Sequence, residues 1–510
     1  MATTFPPGDV PAVADAAPAA GASAFRRALA CRVPLSWLQF GVLAMLLAVL
    51  PATRRIDPDF WWHLRTGELI FEDGIPRHDV YSWTAAGHTW VAHEWLSEAI
   101  IYVVESAFGY LGNIVLFDLA MLGALALMLD LARRQHAGTR VLVLLTALSV
   151  GMLGSFFSVR PQVFSWLMFA AFVYLITRYD RGDRVQLWIL PLLMLFWANL
   201  HLGYVYGFMV LALWLAALAG ERLLNRSDVD LKAPALAAVA CVVAALANPR
   251  GPMILWYPID YVFTGQTDRS LVAEWQRPEL TDPSTFPLLL AAAILIVVML
   301  IKQRPRPFEI LLSIAVLLLA ADGVRHVPLV ALVLIAVAGP ALARRWRAAS
   351  DASDVTTGMR LPAAALFMAL TAGFIGFFAS LATAGGSSIL HPNDDGYPSE
   401  GAAYIREHLA GKRVFNEYHW GGYLAYRLYP DTSIFVDGRA DMYGSDILND
   451  FTTIGRVEPG WDTLLDEYGV EVVIMRRSYS LSAALHDDPR WREVFVGPIE
   501  RIYVRESAVP

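Results

Sequence analysis

Long apolar runs separated by short polar turns fill the first three quarters of the chain. A helix needs about 20 apolar residues to cross a ~30 Å hydrocarbon core. Eleven runs approach that length, at residues 35–52, 110–132, 141–157, 161–177, 186–200, 203–220, 233–248, 285–301, 307–322, 325–343 and 361–383. The fifth and ninth are short, which suits tilted, broken or re-entrant helices. Arg54 and Arg55 directly follow the first run with no small-residue cleavage site, so it reads as an uncleaved anchor. Residues 1–24, rich in Ala and Pro, read as disordered, within a disordered cytoplasmic tail over 1–34.

Residues 384–510 follow a different rhythm. Short apolar strands at 412–416, 432–437, 470–475 and 493–504, the last divisible at Gly497-Pro498, alternate with helical patterns at 399–410, 421–429, 459–468 and 479–487. Ser399 with Glu400 makes a capped start, and Pro459 suits a first turn. The alternation predicts a small, mostly parallel α/β layer. The fold class is therefore mainly α: a polytopic transmembrane helical bundle of about 11 spans over 35–383, with a long first loop at 53–109 and a small soluble α/β domain over 384–510.

Composition sharpens this division. Of the 510 residues 56% are hydrophobic and 17% charged, against about 25% charged in soluble domains. Residues 1–383 carry 28 basic and 27 acidic side chains, whereas 384–510 carry 12 and 20, a net charge of −8. That asymmetry excludes a single soluble globule and any nucleic-acid role resting on a basic face. Cys31 and Cys241 provide neither a disulfide framework nor a CxxC site. Only three of the 40 basic residues are Lys, a bias of GC-rich bacterial genomes that points to a bacterial inner membrane.

Alternate connections differ in charge. One set (1–34, 133–140, 178–185, 221–232, 302–306, 344–360) holds 19 Lys and Arg; the other, longer in total, holds 9. The positive-inside rule places the first set in the cytoplasm, with the N-terminus, and 384–510 outside. The outward turns then collect the unusual residues. Loop 53–109 carries Asp57, Asp59, Trp62, His63, Glu68, His93, Glu94 and Glu98; later turns add Arg160, Asn199, His201, Asn248, Arg250, Glu274, Trp275, Arg325 and His326. An ionisable group near a helix centre in a membrane costs about 2.5–3.5 kcal/mol. Five outer turns bearing such groups predict one shared polar cavity opening outward, although each residue alone reads equally well as a cap or an interface anchor. Asp57 stands just ahead of a helix opened by Pro58, where a simple N-cap is the plain reading. Asp59 and His63, four apart, share one face.

At Asp57-Pro58-Asp59-Phe60-Trp61-Trp62-His63-Leu64, and again at Ile75-Pro76-Arg77-His78-Asp79 with Tyr81-Ser82 and Trp90, the chain resembles the GT-C glycosyltransferase superfamily, in the style of its polyprenyl-phosphate-dependent bacterial members. The resemblance implies an acidic catalytic residue soon after the first span, a place that Asp57 and Asp59 occupy. It also implies a first outer loop with two helices lying along the membrane. More weakly, Asn416 to Leu424 followed by Phe435-Val436-Asp437-Gly438-Arg439 resembles the acceptor motif of oligosaccharyltransferase catalytic subunits. His419 and Gly421 depart from that motif, so peptide-sequon recognition is not expected. Trp420 to Tyr423 also reads as a tight turn packed with aromatics.

The implied activity is inverting transfer of a sugar from a polyprenyl-phosphate donor to a glycan, lipid or protein acceptor at the outer membrane face. Asp57 or Asp59 is expected as the base. Arg160, Arg250, Arg325 and His326 are expected to hold the donor phosphate. His63, His93, Glu94, His201, Trp420 and Tyr423 are expected to support them or meet the acceptor. No cofactor is demanded; a divalent cation (Mg or Mn), if any, would lie between Asp57 and Asp59. Two rivals are a non-catalytic protein of the same fold and a lipid or polysaccharide transporter or flippase. The latter would call for broken spans and inverted repeats that the sequence does not clearly contain.

Overall fold

A computed structural model describes residues 56–224, 230–263, 272–301, 305–349 and 396–508, with short pieces between 32 and 41 and between 358 and 373. Most of the expected first and last spans, and residues 1–31, lie outside the described residues. In the short pieces β1 (Arg32–Pro34) pairs antiparallel with β2 (Gly358–Arg360).

The loop after the first expected span opens with α1 (Pro58–Glu72), which starts where the sequence says it should. Pro58 holds the first helical position, and the Asp57 carboxylate accepts the Asp59 amide at 3.0 Å. Next comes α2 (Trp95–Arg134), one hydrogen-bonded helix broken at Gly109, whose φ of 64° needs a residue without a Cβ. The break divides a first segment lying against α1 from a second that enters the bundle. At Gly67 of α1, a Cβ would strike the Glu98 carbonyl and Tyr102, so the two helices touch backbone to backbone.

The bundle continues with α3 (Thr139–Phe156), α4 (Gln162–Asp180), α5 (Ile189–Leu200), α6 (Val205–Leu223), α7 (Lys232–Ala245), α8 (Met253–Phe263), α9 (Phe286–Leu300), α10 (Pro307–Asp322), α11 (Val327–Val333) and α12 (Gly339–Ala349). A buried π turn, Leu334–Ala338, joins the last two. Among the described residues four helical stretches are long and apolar enough to cross a membrane: Trp95–Arg134, Leu202–Leu223, Pro283–Leu300 and Val324–Arg344. Shorter apolar helices, among them Ile189–Leu200 and Lys232–Ala245, which pack on each other, complete the bundle. The α8 helix falls in a stretch expected to be a plain connection.

The turns sort onto two ends of this bundle. At one end Arg181 pairs with Glu309 at 2.6 Å and Arg306 with Asp180 at 3.2 Å. At the other, Asn199 joins Asn248 (3.1 Å) and the Trp95 indole (2.9 Å), tying the ends of α5, α7 and α2. Two polar residues of the expected cavity are thus satisfied by one another.

The C-terminal region contains α13 (Ser399–His408), β3 (Val414–Asn416), α14 (Gly421–Leu428), α15 (Ala440–Arg456), α16 (Trp461–Glu467), β4 (Val472–Arg476), α17 (Ser480–Asp487), β5 (Trp491–Val496) and β6 (Glu500–Arg505). The sheet order is β3-β4-β6-β5; only β3 and β4 run parallel, so the mostly parallel layer expected from the sequence is in fact mixed. The expected strand at 432–437 joins the first loop instead. Ile434 exchanges backbone hydrogen bonds with Tyr81 and Trp83 at 3.0 and 3.1 Å. Helix α15, which the sequence reading does not include, is broken at Gly444, whose φ is 75°.

The loop and the C-terminal region are locked by a buried ion triad. The Arg439 guanidinium reaches Asp437 at 2.6 Å and Asp79 at 2.8 Å, between the faces of Tyr81 and Trp90. Gly422 lets α14 lie on α1, since a Cβ there would meet the Pro58 carbonyl and Trp62. The C-terminal region therefore sits at the same end of the bundle as the first loop. Replacing Arg439 with Met strands two buried carboxylates, and thermal unfolding in detergent should report a loss of about 3–5 kcal/mol. An unchanged transition would show that the triad does not hold the two parts together.

Candidate active site

Helix α1 carries Asp59, Trp62 and His63 on neighbouring turns toward the bundle. The turn before α4 supplies Arg160, the α5–α6 turn His201, and the stretch before α9 Glu274 and Trp275. Arg325 comes from the turn before α11. These side chains line a cavity of about 140 Å³, closed on its far side by Gly438, Arg439, Ala440 and Asp441 of the C-terminal region. A Cβ at Gly438 would collide with the Asp59 carboxylate, so the chain closes directly over that acid.

Arg160 is the hub. Its guanidinium lies 2.6 Å from Asp59, 2.5 Å from Glu274 and 3.7 Å from Asp57. Burial disfavours its charge, but Asp57, Asp59 and Glu274 outweigh that and hold it firmly cationic. Asp59 also accepts the Trp62 indole N–H at 3.1 Å. Burial, helped by the adjacent Asp57 and opposed by Arg160, pushes the Asp59 carboxyl up to about 6. Arg160 keeps Glu274 below the usual carboxylate range.

Beside this pair, Glu94 meets three imidazoles: His201 at 3.3 Å, His63 at 3.5 Å and His93 at 3.6 Å. Burial drives His63 down to about 3 and His201 to about 4, so both are neutral at pH 7. Burial also works against His93, yet its contact with Glu94 prevails and raises it to about 9. His201 Nδ1 accepts the Gly203 amide at 2.8 Å and lies 2.7 Å from the Ser165 hydroxyl, which fixes the ring. Arg325 stacks over Trp275, 4.1 Å from the ring centroid.

Of the residues singled out from the sequence, Asp59, His63, His93, Glu94, Arg160, His201 and Arg325 line the cavity, and Asp57 borders it as the cap of α1. Four others do not line it. Arg250 binds the backbone carbonyls of Pro76 and Trp90 and so braces the first loop. His326 Nδ1 lies 2.9 Å from the Tyr206 hydroxyl. Trp420 is fully buried and donates to the Gly396 carbonyl at 2.8 Å, while Tyr423 stacks on Tyr397. Glu274, Tyr257, Arg439 and Asp441 belong to the lining without having been assigned a role. The outer-turn clustering already marked Glu274, but nothing local in the sequence marks Tyr257 or Asp441, which meet only in the folded chain.

Three solved structures share this architecture. The oligosaccharyltransferase AglB from Archaeoglobus fulgidus, in complex with an inhibitory peptide and a dolichol-phosphate, matches at TM-score 0.53 and 11% identity over 86% of this chain and 69% of that one. ArnT from Cupriavidus metallidurans, bound to undecaprenyl phosphate, matches at 0.50 and 16% over 92% and 98%. The chain has the GT-C fold. The mycobacterial arabinofuranosyltransferase AftD matches at 0.52 and 15% identity; 93% of this chain is covered, spanning 42% of AftD. No family model and no curated protein matches the sequence. At these identities the fold is what is shared, and it is the GT-C fold that the Asp57–Leu64 run resembled.

Raising a carboxyl from 3.8 to about 6 makes folding take up a proton between those values. Stability contributed at Asp59 is therefore present below the lower value and lost as pH rises through the upper one. The melting temperature of Asp59→Asn relative to wild type should be more favourable at about pH 7.5 than at about pH 4.5. An offset of equal size at both would mean that Asp59 ionises in the folded chain as it does in water.

Proposed function

We propose that this chain is a membrane glycosyltransferase that moves a sugar from a polyprenyl-phosphate carrier to an acceptor hydroxyl on the extracytoplasmic side. The observation that carries the reading is the Asp59–Arg160 pair in a polar cavity where the first loop, four turns of the bundle and the C-terminal region converge. Two proteins of the same fold are named as holding a polyprenyl phosphate, dolichol-phosphate in one and undecaprenyl phosphate in the other. The orientation is supported by the excess of Lys and Arg on the opposite connections.

In the reaction proposed, the acceptor oxygen attacks the anomeric carbon as the carbon–oxygen bond to the carrier phosphate breaks. One displacement inverts that carbon. The acceptor proton passes to Asp59, whose raised carboxyl is a better base than an ordinary aspartate once ionised. The bonding electrons leave with the phosphate, whose growing charge falls to Arg160 and Arg325. His201, fixed by Ser165 and Gly203, is the neutral polar group beside them. Arg250 and His326 serve the scaffold in this scheme. Between Asp57 and Asp59 the cation in place is the Arg160 guanidinium, so those residues fit an arginine rather than a divalent ion, and no step is routed through a metal.

Transfer from radiolabelled polyprenyl-phosphate sugars in membranes tests this. Asp59→Asn should lower the rate by about 10²–10⁴-fold. Asp57→Asn, which retains the helix cap, should lower it less. The wild-type rate should climb as pH rises through about 6, because only the ionised Asp59 accepts the proton. Equal rates in both variants and wild type would remove Asp59 as the base; no transfer by any of them would favour a non-catalytic protein or a transporter.

A further inference from the structure

In the wall of the cavity, with His63 and Glu94 lining it and Glu98 one turn further along, a second cluster joins α1 to α2. His63 lies between Glu94 and Glu98, which stand one turn apart. Its Nε2 is 3.5 Å from Glu94 and its Nδ1 3.4 Å from Glu98. All three residues are buried, with 2%, 8% and 1% of their surface exposed. Their nearest ligand-type atoms all fall within 4.8 Å of one another. These separations exceed ordinary hydrogen bonds, which run about 2.7–3.2 Å. The second oxygen of Glu98, Oε2, is buried and has no hydrogen-bond partner.

The hydrogen bonding of this cluster is incomplete at Glu98. Two carboxylates four residues apart on one helix repel each other, and buried carboxylates require a compensating charge or donor. A neutral imidazole has a single N–H, so His63 can donate to one glutamate and must turn a lone pair to the other. His93 and His201 make their close contacts with Glu94, whereas the close imidazole contact of Glu98 is His63. One imidazole nitrogen with two carboxylates is a donor set suited to a borderline divalent ion.

We propose that His63, Glu94 and Glu98 bind a divalent transition-metal ion, zinc in the first instance, which pins α1 to α2 beside Asp59. The ion balances both carboxylates, takes the otherwise unused oxygen of Glu98, and receives the lone pair that His63 cannot place on a glutamate. His63 and Asp59 lie one helical turn apart, so the ion fixes the orientation of the acid without touching the reacting atoms. The assignment does not rest on sugar transfer and is tested without any substrate.

The full-length protein, purified in detergent without chelator, is analysed for metal and then titrated with zinc. The wild type should carry or take up about one ion per chain, and zinc should raise its melting temperature. Glu98→Gln should lose both effects, while Glu72→Gln on the exposed side of α1 keeps them. Wild-type protein that neither holds nor binds zinc overturns the site, as does a Glu98→Gln protein that binds it equally well. Should Glu98→Gln fail to fold, copper(II)-loaded wild type decides by electron paramagnetic resonance. Nitrogen coupling from imidazole supports the site, and its absence overturns it.

Discussion

One guanidinium among three carboxylates organises the functional end of this protein. Arg160 draws Asp57 and Asp59 from the first loop and Glu274 from a turn more than a hundred residues further on. A single positive charge is shared among three acids, and burial acts on Asp59 against it. Asp59 is covered by the C-terminal region at Gly438, and burial raises its carboxyl to about 6. The same pairing that assembles the cavity therefore prepares its base.

That arrangement depends on surfaces that neither part of the chain possesses alone. The first loop and the C-terminal region share backbone hydrogen bonds at Tyr81, Trp83 and Ile434 as well as the Asp79–Arg439–Asp437 triad. Most of the expected spans are recognisable as helices, yet several fall short of a membrane's thickness. The stretch Val324–Arg344 is almost wholly enclosed by its neighbours. The bundle thus provides fixed helix ends, and the polar chemistry is confined to the turns between them.

Much of this was legible in the sequence because the signals were local. Apolar runs mark helices through burial, Pro58 and Asp57 mark the start of α1, and Gly109 marks the break in α2 only once its backbone is seen. The charged outer turns announced a cavity because isolated ionisable groups beside apolar runs are costly. What stayed hidden depended on distant partners. The 432–437 segment has a strand's composition, but its hydrogen bonds go to the first loop rather than to the sheet. Arg250 has the residue type of a phosphate ligand, and only the fold shows it holding Pro76 and Trp90. Asn199 and Asn248 likewise satisfy each other.

The most direct test of the account is an experimental structure of the full chain with a polyprenyl phosphate bound. The account places the phosphate inside the cavity, within hydrogen-bond reach of Arg160 or Arg325, with Asp59 facing the acceptor side. A lipid phosphate bound elsewhere on the bundle, with Asp59 and Arg160 still closed on each other and the cavity empty, would contradict it.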